Sequence, residues 1–445
     1  MGIFKAYDIR GLYPSELNED TAHRIGQAFA TLIGKSPLVL SRDMRPSSGP
    51  LAEAVTKGIT ETGLSVVDVG LLSTPANYFA IAHYDYPGGL QVTASHNPPQ
   101  YNGFKLSREK AIPLSYETGI GEIERRVTEN DLGEARGGGS VSLRNVEDDY
   151  TRFMLTFADD IRPMTVVLDA GNGMAGKMWV PVLEQLPVTL VPLYIELDGT
   201  FPNHEANPLK EENLRDVCAK VKEVGAQLGV AADGDADRCV FIDERGEPVR
   251  SDLIATLIAL EVLQKEPGAT IIYDPRSSWA FREEVERAGG KATVERVGHA
   301  YMKAALRNRG AAFGGELSGH YYFRDFFCAD NGLLALIKML NLLSREAKPL
   351  SELIKPINRY YHTGEINFEV EDKDAVIEAA AQKYSDGRVS WVDGVTVEYD
   401  DWWFNLRKSN TEPLVRLNLE AHSPEVMKAK ESELESFLEG SPRFA

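Results

Sequence analysis

Asp233, Asp235 and Asp237 stand at i, i+2 and i+4 in Asp233-Gly234-Asp235-Ala236-Asp237-Arg238. In an extended or looping backbone that spacing turns three carboxylates toward one centre, and three hard oxygens suit a hard divalent cation. An EF-hand register beginning at Asp233 places Glu244 twelfth, but Arg238 occupies the sixth place, where the turn requires glycine, and the flanks read as strands. Mg²⁺, which combines a few carboxylates with phosphate and water, fits better. The ordinary alternative is an acidic surface turn. A second loop, Thr93-Ala94-Ser95-His96-Asn97-Pro98, exposes a hydroxyl just past a strand, with Lys105 beyond it. Adjacent side chains of an extended segment point oppositely, so Ser95 and His96 are not expected to form a dyad. A hydroxyl beside a cation and an acidic metal site could carry a phosphoryl group, because phosphoryl transfer needs in-line positioning and charge neutralisation. Its plain counterpart is a hydrogen-bonded turn serine.

Two further loops carry complementary chemistry. Arg407-Lys408-Ser409-Asn410-Thr411-Glu412-Pro413 lies between strand-like residues 402–406 and 414–419, with Arg416 close by. An arginine fork, hydroxyls and an amide would hold a static phosphate, although a basic hairpin can also be merely solvated. Glu316, Ser318 and His320 alternate on a loop containing Gly315 and Gly319. They combine an acceptor, a donor-acceptor and an imidazole, a set able to read sugar hydroxyls and move a proton.

These loops need a scaffold that brings them together. Residues 37–43, 165–169 and 270–274 are apolar strands that each reach an aspartate and then a turn before a helix. Second strands follow at 64–69, 188–195 and 291–297, and a third strand in each unit ends in the Ser95, Asp233 or Glu316 loop. This alternation predicts three similar α/β domains with mainly parallel sheets. Ligands of open α/β sheets gather beyond the carboxyl ends of strands, so the three loops are expected to share one cleft; three private turns are the alternative. Gly137-Gly138-Gly139-Ser140 reads as a joint, a helix at 252–264 opens the third unit and residues 349–356 close it. The expected boundaries are 1–140, 141–249, 250–355 and 356–445, the last an α+β domain with strands at 396–399 and 414–419 and a helix at 425–438. One motif points elsewhere: Gly171-Asn172-Gly173-Met174-Ala175-Gly176, with Glu196 further on, has the form of a dinucleotide fingerprint. The turns at Asp43 and Asp274 lack its glycines, and a dehydrogenase would leave the other loops unexplained.

Composition narrows the partners. The 445 residues carry 48 Lys and Arg against 67 Asp and Glu, a net charge of −19 that has the wrong sign for nucleic acid or an anionic membrane. Apolar runs such as 253–260 stop far short of the roughly 20 residues of a membrane span. Cys218, Cys239 and Cys328 are too scattered for a disulfide framework or a C-x-x-C site, and the start reads as neither a signal peptide nor a lipid anchor. A cytoplasmic location is expected.

Together, in this order, the four loops resemble those of the α-D-phosphohexomutase family, in its bacterial phosphomannomutase/phosphoglucomutase branch. The resemblance runs from Lys5-Ala6-Tyr7-Asp8-Ile9-Arg10-Gly11 to the Arg407 loop. It implies three α/β domains, a fourth like the TATA-binding-protein fold, and reversible conversion of hexose 1-phosphate and hexose 6-phosphate through a hexose 1,6-bisphosphate. It implies that Ser95 is the phosphoserine and that Asp233, Asp235 and Asp237 hold Mg²⁺ with its phosphoryl oxygen. His96, Lys105, Arg238 and His320 complete the expected catalytic set, with His320 or Lys105 carrying the proton. Glu316 and Ser318 would read sugar hydroxyls, and Arg407, Ser409, Asn410 and Thr411, with Arg416 nearby, would grip phosphate. Tyr7, Arg10, Arg276 and His299 would be accessory contacts, although some members have lysine in place of Arg276. Phosphoglucosamine mutases typically carry S-G-T-E-P where this chain has Ser409-Asn410-Thr411-Glu412-Pro413. A phosphosugar sensor without turnover would need the same binding loops but no phosphoserine.

Overall fold

The computed structural model describes residues 2–134, 136–409 and 414–439. Four sheets lie along the chain. The first has six strands, ordered Ile9–Leu12, Tyr101–Arg108, Gly88–Val92, Leu38–Arg42, Val66–Leu71 and Val141–Leu143. The last four are mutually parallel, and Tyr101–Arg108 runs antiparallel to both its neighbours. Val141–Leu143, placed by the glycine joint in the second domain, therefore completes the first sheet. Glycines before a strand mark a turn as readily as a domain boundary.

The second sheet is ordered Pro248–Val249, Cys239–Ile242, Leu228–Ala232, Met164–Asp169, Val188–Leu193, and the third Lys291–Val294, Thr270–Tyr273, Phe313–Gly315, Tyr321–Phe323, Ala329–Asp330. Each has three parallel strands extended by antiparallel ones, so the sheets are mixed. The equivalence of the three loops is explicit in this topology. Each loop joins the third parallel strand of its domain, in chain order, to the strand that returns antiparallel beside it. The Ser95, Asp233 and Glu316 loops thus all leave the carboxyl end of a parallel strand, where α/β sheets present ligand sites.

The fourth sheet is wholly antiparallel, ordered Tyr361–Glu369, Leu414–Ala421, Trp402–Lys408, Val395–Glu398, Arg388–Ser390, with helices Lys373–Lys383 and Pro424–Glu439. The apolar runs of the sequence are core helices. Ser251–Lys265 is buried on nearly every side, as is Gly332–Glu346, whose first turn is capped by Asn331 accepting from the Leu334 N–H. Among the described residues no helix is long and apolar enough to cross a membrane.

Candidate active site

The Ser95 loop is held by a guanidinium that the sequence reading did not single out. Arg45 is paired with Asp43, both side chains fully buried, and it donates to the carbonyls of Ser95 (2.8 Å), Asn97 (2.6 Å), Pro98 (2.8 Å) and Tyr101 (3.1 Å). Thr93 Oγ1 accepts from the Ser95 N–H and donates to Asp43. This clamp fixes Ser95 in the left-handed region at φ 51°. The expectation that Ser95 and His96 point apart is corrected here. Ser95 is not extended, and its Oγ lies 3.2 Å from His96 Nδ1 while donating to Asp233 Oδ2 at 2.9 Å.

That last bond crosses from the first domain to the second. The approach is close: a Cβ on Gly234 would lie 2.5 Å from the Ser95 carbonyl oxygen, so only glycine fits in the acidic loop there. Gly173 of the dinucleotide-like segment serves the same packing. A Cβ on Gly173 would meet the Gly234 carbonyl at 2.8 Å, and the helix that follows spans only Ala175–Met178.

Asp233, Asp235 and Asp237 are all buried, each with an oxygen within 4.8 Å of the others. Arg238 Nε donates to Asp233 at 2.9 Å. Lys105 Nζ reaches Asp235 Oδ2 at 2.6 Å and Asp237 Oδ2 at 2.5 Å. Thr74, in the first turn of helix Thr74–His83, donates to Asp235 Oδ2 at 2.6 Å. Burial and the neighbouring carboxylates of Asp237 and Asp235 push the Asp233 carboxyl up to about 8. Burial also opposes charge on Asp237, but Lys105 and Arg238 outweigh it and hold that carboxyl below its usual range. The cluster fits a cation by a simple criterion. Oδ1 of Asp235 and Oδ1 of Asp237 are buried without a hydrogen-bond partner among the described residues, and a bound cation would satisfy both.

The third loop touches this centre. Arg238 and His320 form a β-bridge, and the Cys239 N–H donates to the Gly319 carbonyl. His320 Nδ1 is 3.0 Å from Ser318 Oγ, and its Nε2 lies 3.6 Å from Asp237 and 3.7 Å from Asp330, a residue paired with buried Lys303. Burial, then Arg238 and Lys105, keep the His320 pKa well below that of a free imidazole, and burial with Lys303 does the same for His299. The two histidine rings stack at 6.5 Å, and Tyr7 meets His299 edge-on at 5.0 Å. Arg10 pairs with Asp8 and donates to Asn97 at 2.6 Å. Glu316 accepts from the Gly298 N–H at 2.7 Å and from the Tyr322 hydroxyl. Burial, then Asp274, lift its carboxyl to about 7.

The remaining cations form a second pole. Arg276 is locked to Asp274, which also accepts from the Leu317 N–H and so ties the cluster to the Glu316 loop. Arg407, at the end of strand Trp402–Lys408, and Arg416, on Leu414–Ala421, both bond Glu365, and Arg416 reaches Ser409 at 3.4 Å. Asn410 and Thr411 lie outside the described residues. A cavity of about 120 Å³ between the third and fourth domains is lined by Arg276, Leu317, Gly364 and Asn418 among others.

The structure thus draws Ser95, His96, Lys105, Arg238, His320 and the aspartate triplet into one acidic pole and Arg276, Arg407, Arg416 and Ser409 into another, with the Glu316 loop in contact with both. Arg45, Thr74, Lys303, Asp330 and Glu365 escaped the sequence reading. A signal existed for Arg45 alone, because Asp43-x-Arg45 repeats the spacing of Asp274-x-Arg276 after an equivalent strand.

This architecture, three α/β domains whose loops meet at a buried acidic centre and a fourth domain that joins the third in a cluster of arginines, defines a class. Models of the phosphoglucomutase/phosphomannomutase family match in sequence: α/β/α domain I at residues 1–134, domain II at 148–246, domain III at 250–360 and the C-terminal domain at 365–435. The chain belongs to the phosphoglucomutase/phosphomannomutase family. It is 40% identical over 444 residues to a protein of Xanthomonas campestris named "Phosphohexose mutases", covering 98% of this chain and 99% of that one. It is 38% identical over 449 residues to a phosphomannomutase of Escherichia coli, covering 98% of each. A crystal structure of a phosphoglucomutase/phosphomannomutase family protein from Burkholderia thailandensis superposes with a TM-score of 0.91 at 35% identity, over 98% of this chain and 97% of that one.

Proposed function

We propose that the protein interconverts hexose 1-phosphates and hexose 6-phosphates of glucose and mannose through a phosphorylated Ser95 and a hexose 1,6-bisphosphate. The observation that carries this reading is Ser95 itself: a left-handed backbone aims its Oγ 2.9 Å from Asp233 at the edge of a buried acidic cluster. Such strain is retained where the surrounding structure requires it, here through the Arg45 clamp.

In the forward half-reaction the arginine pole holds the phosphate already on the sugar, and Glu316 and Ser318 orient the ring. The free hydroxyl is thereby aimed at the phosphoryl group of Ser95. Lys105 and Arg238 balance the charge that gathers there. His320 is the better placed proton acceptor, because Lys105 Nζ is committed to two carboxylates whereas His320 Nε2 sits beyond hydrogen-bond distance of the nearest ones. We assign Mg²⁺ to Asp233, Asp235, Asp237 and an oxygen on Ser95, where it would neutralise the phosphoryl group being transferred. The bisphosphate then turns so that its other phosphate faces Ser95, and the same residues act in reverse. The Arg407 loop must therefore accept both ends of the sugar.

Conversion of mannose 1-phosphate and glucose 1-phosphate to their 6-phosphates, followed with a trace of glucose 1,6-bisphosphate and Mg²⁺, tests the reading. Conversion that is lost in Ser95→Ala supports it, and binding without conversion would favour a sensor.

A further inference from the structure

The arginine pole already holds an anion that belongs to the chain. Strand Tyr361–Glu369 pairs regularly with Leu414–Ala421 except for a register shift between His362 and Glu365. Gly364, inside that irregularity, has φ 75°, which an L side chain adopts with strain. Such bulges re-aim the side chain that follows. Here the side chain is Glu365. Its Oε2 accepts from Arg407 Nη2 at 2.7 Å and lies 3.7 Å from Arg276 Nη1, while Oε1 accepts from Arg416 Nη1 at 3.0 Å. Three guanidiniums from two domains converge on one carboxylate. Its side chain is 25% exposed, as is that of Arg416, against 6% for Arg407, so the carboxylate lies at the open side of the cluster, where an incoming anion would meet it first. Arg407 Nε is buried and has no hydrogen-bond partner among the described residues, so the cluster retains donor capacity beyond what Glu365 uses.

A phosphate bound by these arginines would compete with Glu365 for the same N–H groups, since carboxylate and phosphate both take the guanidinium fork. We propose that Glu365 is a positioning residue that stands in for the substrate phosphate, keeping Arg276, Arg407 and Arg416 in gripping geometry between occupancies and weakening the grip when phosphate is bound. The inference rests on the mutase reading, which gives the weakening a purpose. The bisphosphate must release one phosphate from this pole and offer the other, and a grip without a competitor would stall that turn. Tight binding that is equal in all states lowers KM without raising kcat, and an internal release step can limit turnover.

The test compares inorganic phosphate binding, by isothermal titration, and steady-state turnover of glucose 1-phosphate in the wild type, Glu365→Gln and Glu365→Asp. Glu365→Gln should bind phosphate about tenfold more tightly, equivalent to about 1.4 kcal/mol, with KM and kcat for glucose 1-phosphate both reduced. A purely structural role for Glu365 predicts the opposite for binding: repelling arginines would scatter, phosphate would bind more weakly and KM would rise. Either that result or unchanged affinity in Glu365→Gln overturns the proposal. If Glu365→Gln does not fold, Glu365→Asp decides, because its carboxylate is withdrawn by one methylene and should still tighten phosphate binding about threefold; equal or weaker binding overturns the proposal. A wild-type protein that neither binds phosphate nor converts glucose 1-phosphate would instead contradict the mutase reading.

Discussion

Replacing Glu316 by Gln should make the third domain more stable at alkaline pH while it destroys sugar recognition. Glu316 is 1% exposed, and burial, then the charge of Asp274, raise its carboxyl from 4.5 to about 7. Between those values the folded state binds more protons than the unfolded state, so unfolding becomes easier as pH rises. The stabilisation of the protonated carboxyl is fully present below the unfolded value and is gone above about 7. One pH unit corresponds to about 1.36 kcal/mol, so the decline across the window is about 3 kcal/mol. Glutamine never ionises. Its Oε1 can accept from the Gly298 N–H as Glu316 does, and its amide can donate to the Tyr322 hydroxyl oxygen. Hydrogen exchange of the flanking strands Phe313–Gly315 and Tyr321–Phe323 reads the local opening free energy. Glu316→Gln should protect these amides about 100-fold more than the wild type at about pH 8.5, with only a small difference at about pH 5. Turnover should fall at both pH values. An equal gain at both, or none at the higher, would refute the argument that a charged Glu316 is what destabilises this loop.

Other outcomes follow from the remaining contacts. Arg45→Met removes four carbonyl hydrogen bonds from the Ser95 loop; kcat should fall by at least about 100-fold with little change in phosphate binding, because a misplaced reacting atom costs about that much, and an unaffected kcat in steady-state assays would mean the clamp is not needed. Asp235→Asn should weaken metal dependence and turnover together, and full wild-type activity in chelator would contradict the assignment of the triplet to the catalytic metal. Arg407→Ala should raise KM for hexose 1-phosphate and hexose 6-phosphate alike, and an effect on one isomer only would assign the two phosphates to different loops. Glucose and mannose differ only at C2, which Glu316 and Ser318 are not expected to contact, so their kcat/KM values should lie within roughly 200-fold, whereas a 3-deoxy or 4-deoxy sugar should lose much more.

What the sequence made legible was local. Each functional loop is a contiguous run of polar residues at the end of an apolar strand, and the repeat of that pattern disclosed three equivalent domains. The order of the loops then disclosed the family. What stayed hidden depends on contacts between distant segments. Thr74 reaches Asp235 across 161 residues, and nothing in Ser73-Thr74-Pro75 distinguishes it from an ordinary helix start, which it also is. Glu365 looks like any polar residue on a strand until the irregularity at Gly364 turns it toward Arg407. The separation of Ser95 from His96 was misjudged because it rested on an extended backbone, and the clamp that prevents extension is Arg45, fifty residues earlier. The dinucleotide-like segment was set aside as a cofactor site, yet the use of its Gly173, which lets the segment approach Gly234, is visible only in three dimensions.

The central claim is that Ser95 carries the phosphoryl group that is exchanged with the sugar. The direct measurement is intact mass spectrometry with peptide mapping after incubation with glucose 1,6-bisphosphate and Mg²⁺, followed by a chase with mannose 6-phosphate. The account predicts one phosphoryl group, mapped to Ser95, that leaves during the chase and is recovered on the sugar. A protein that stays unphosphorylated while it converts hexose phosphates, or that is labelled elsewhere and remains active as Ser95→Ala, would contradict it.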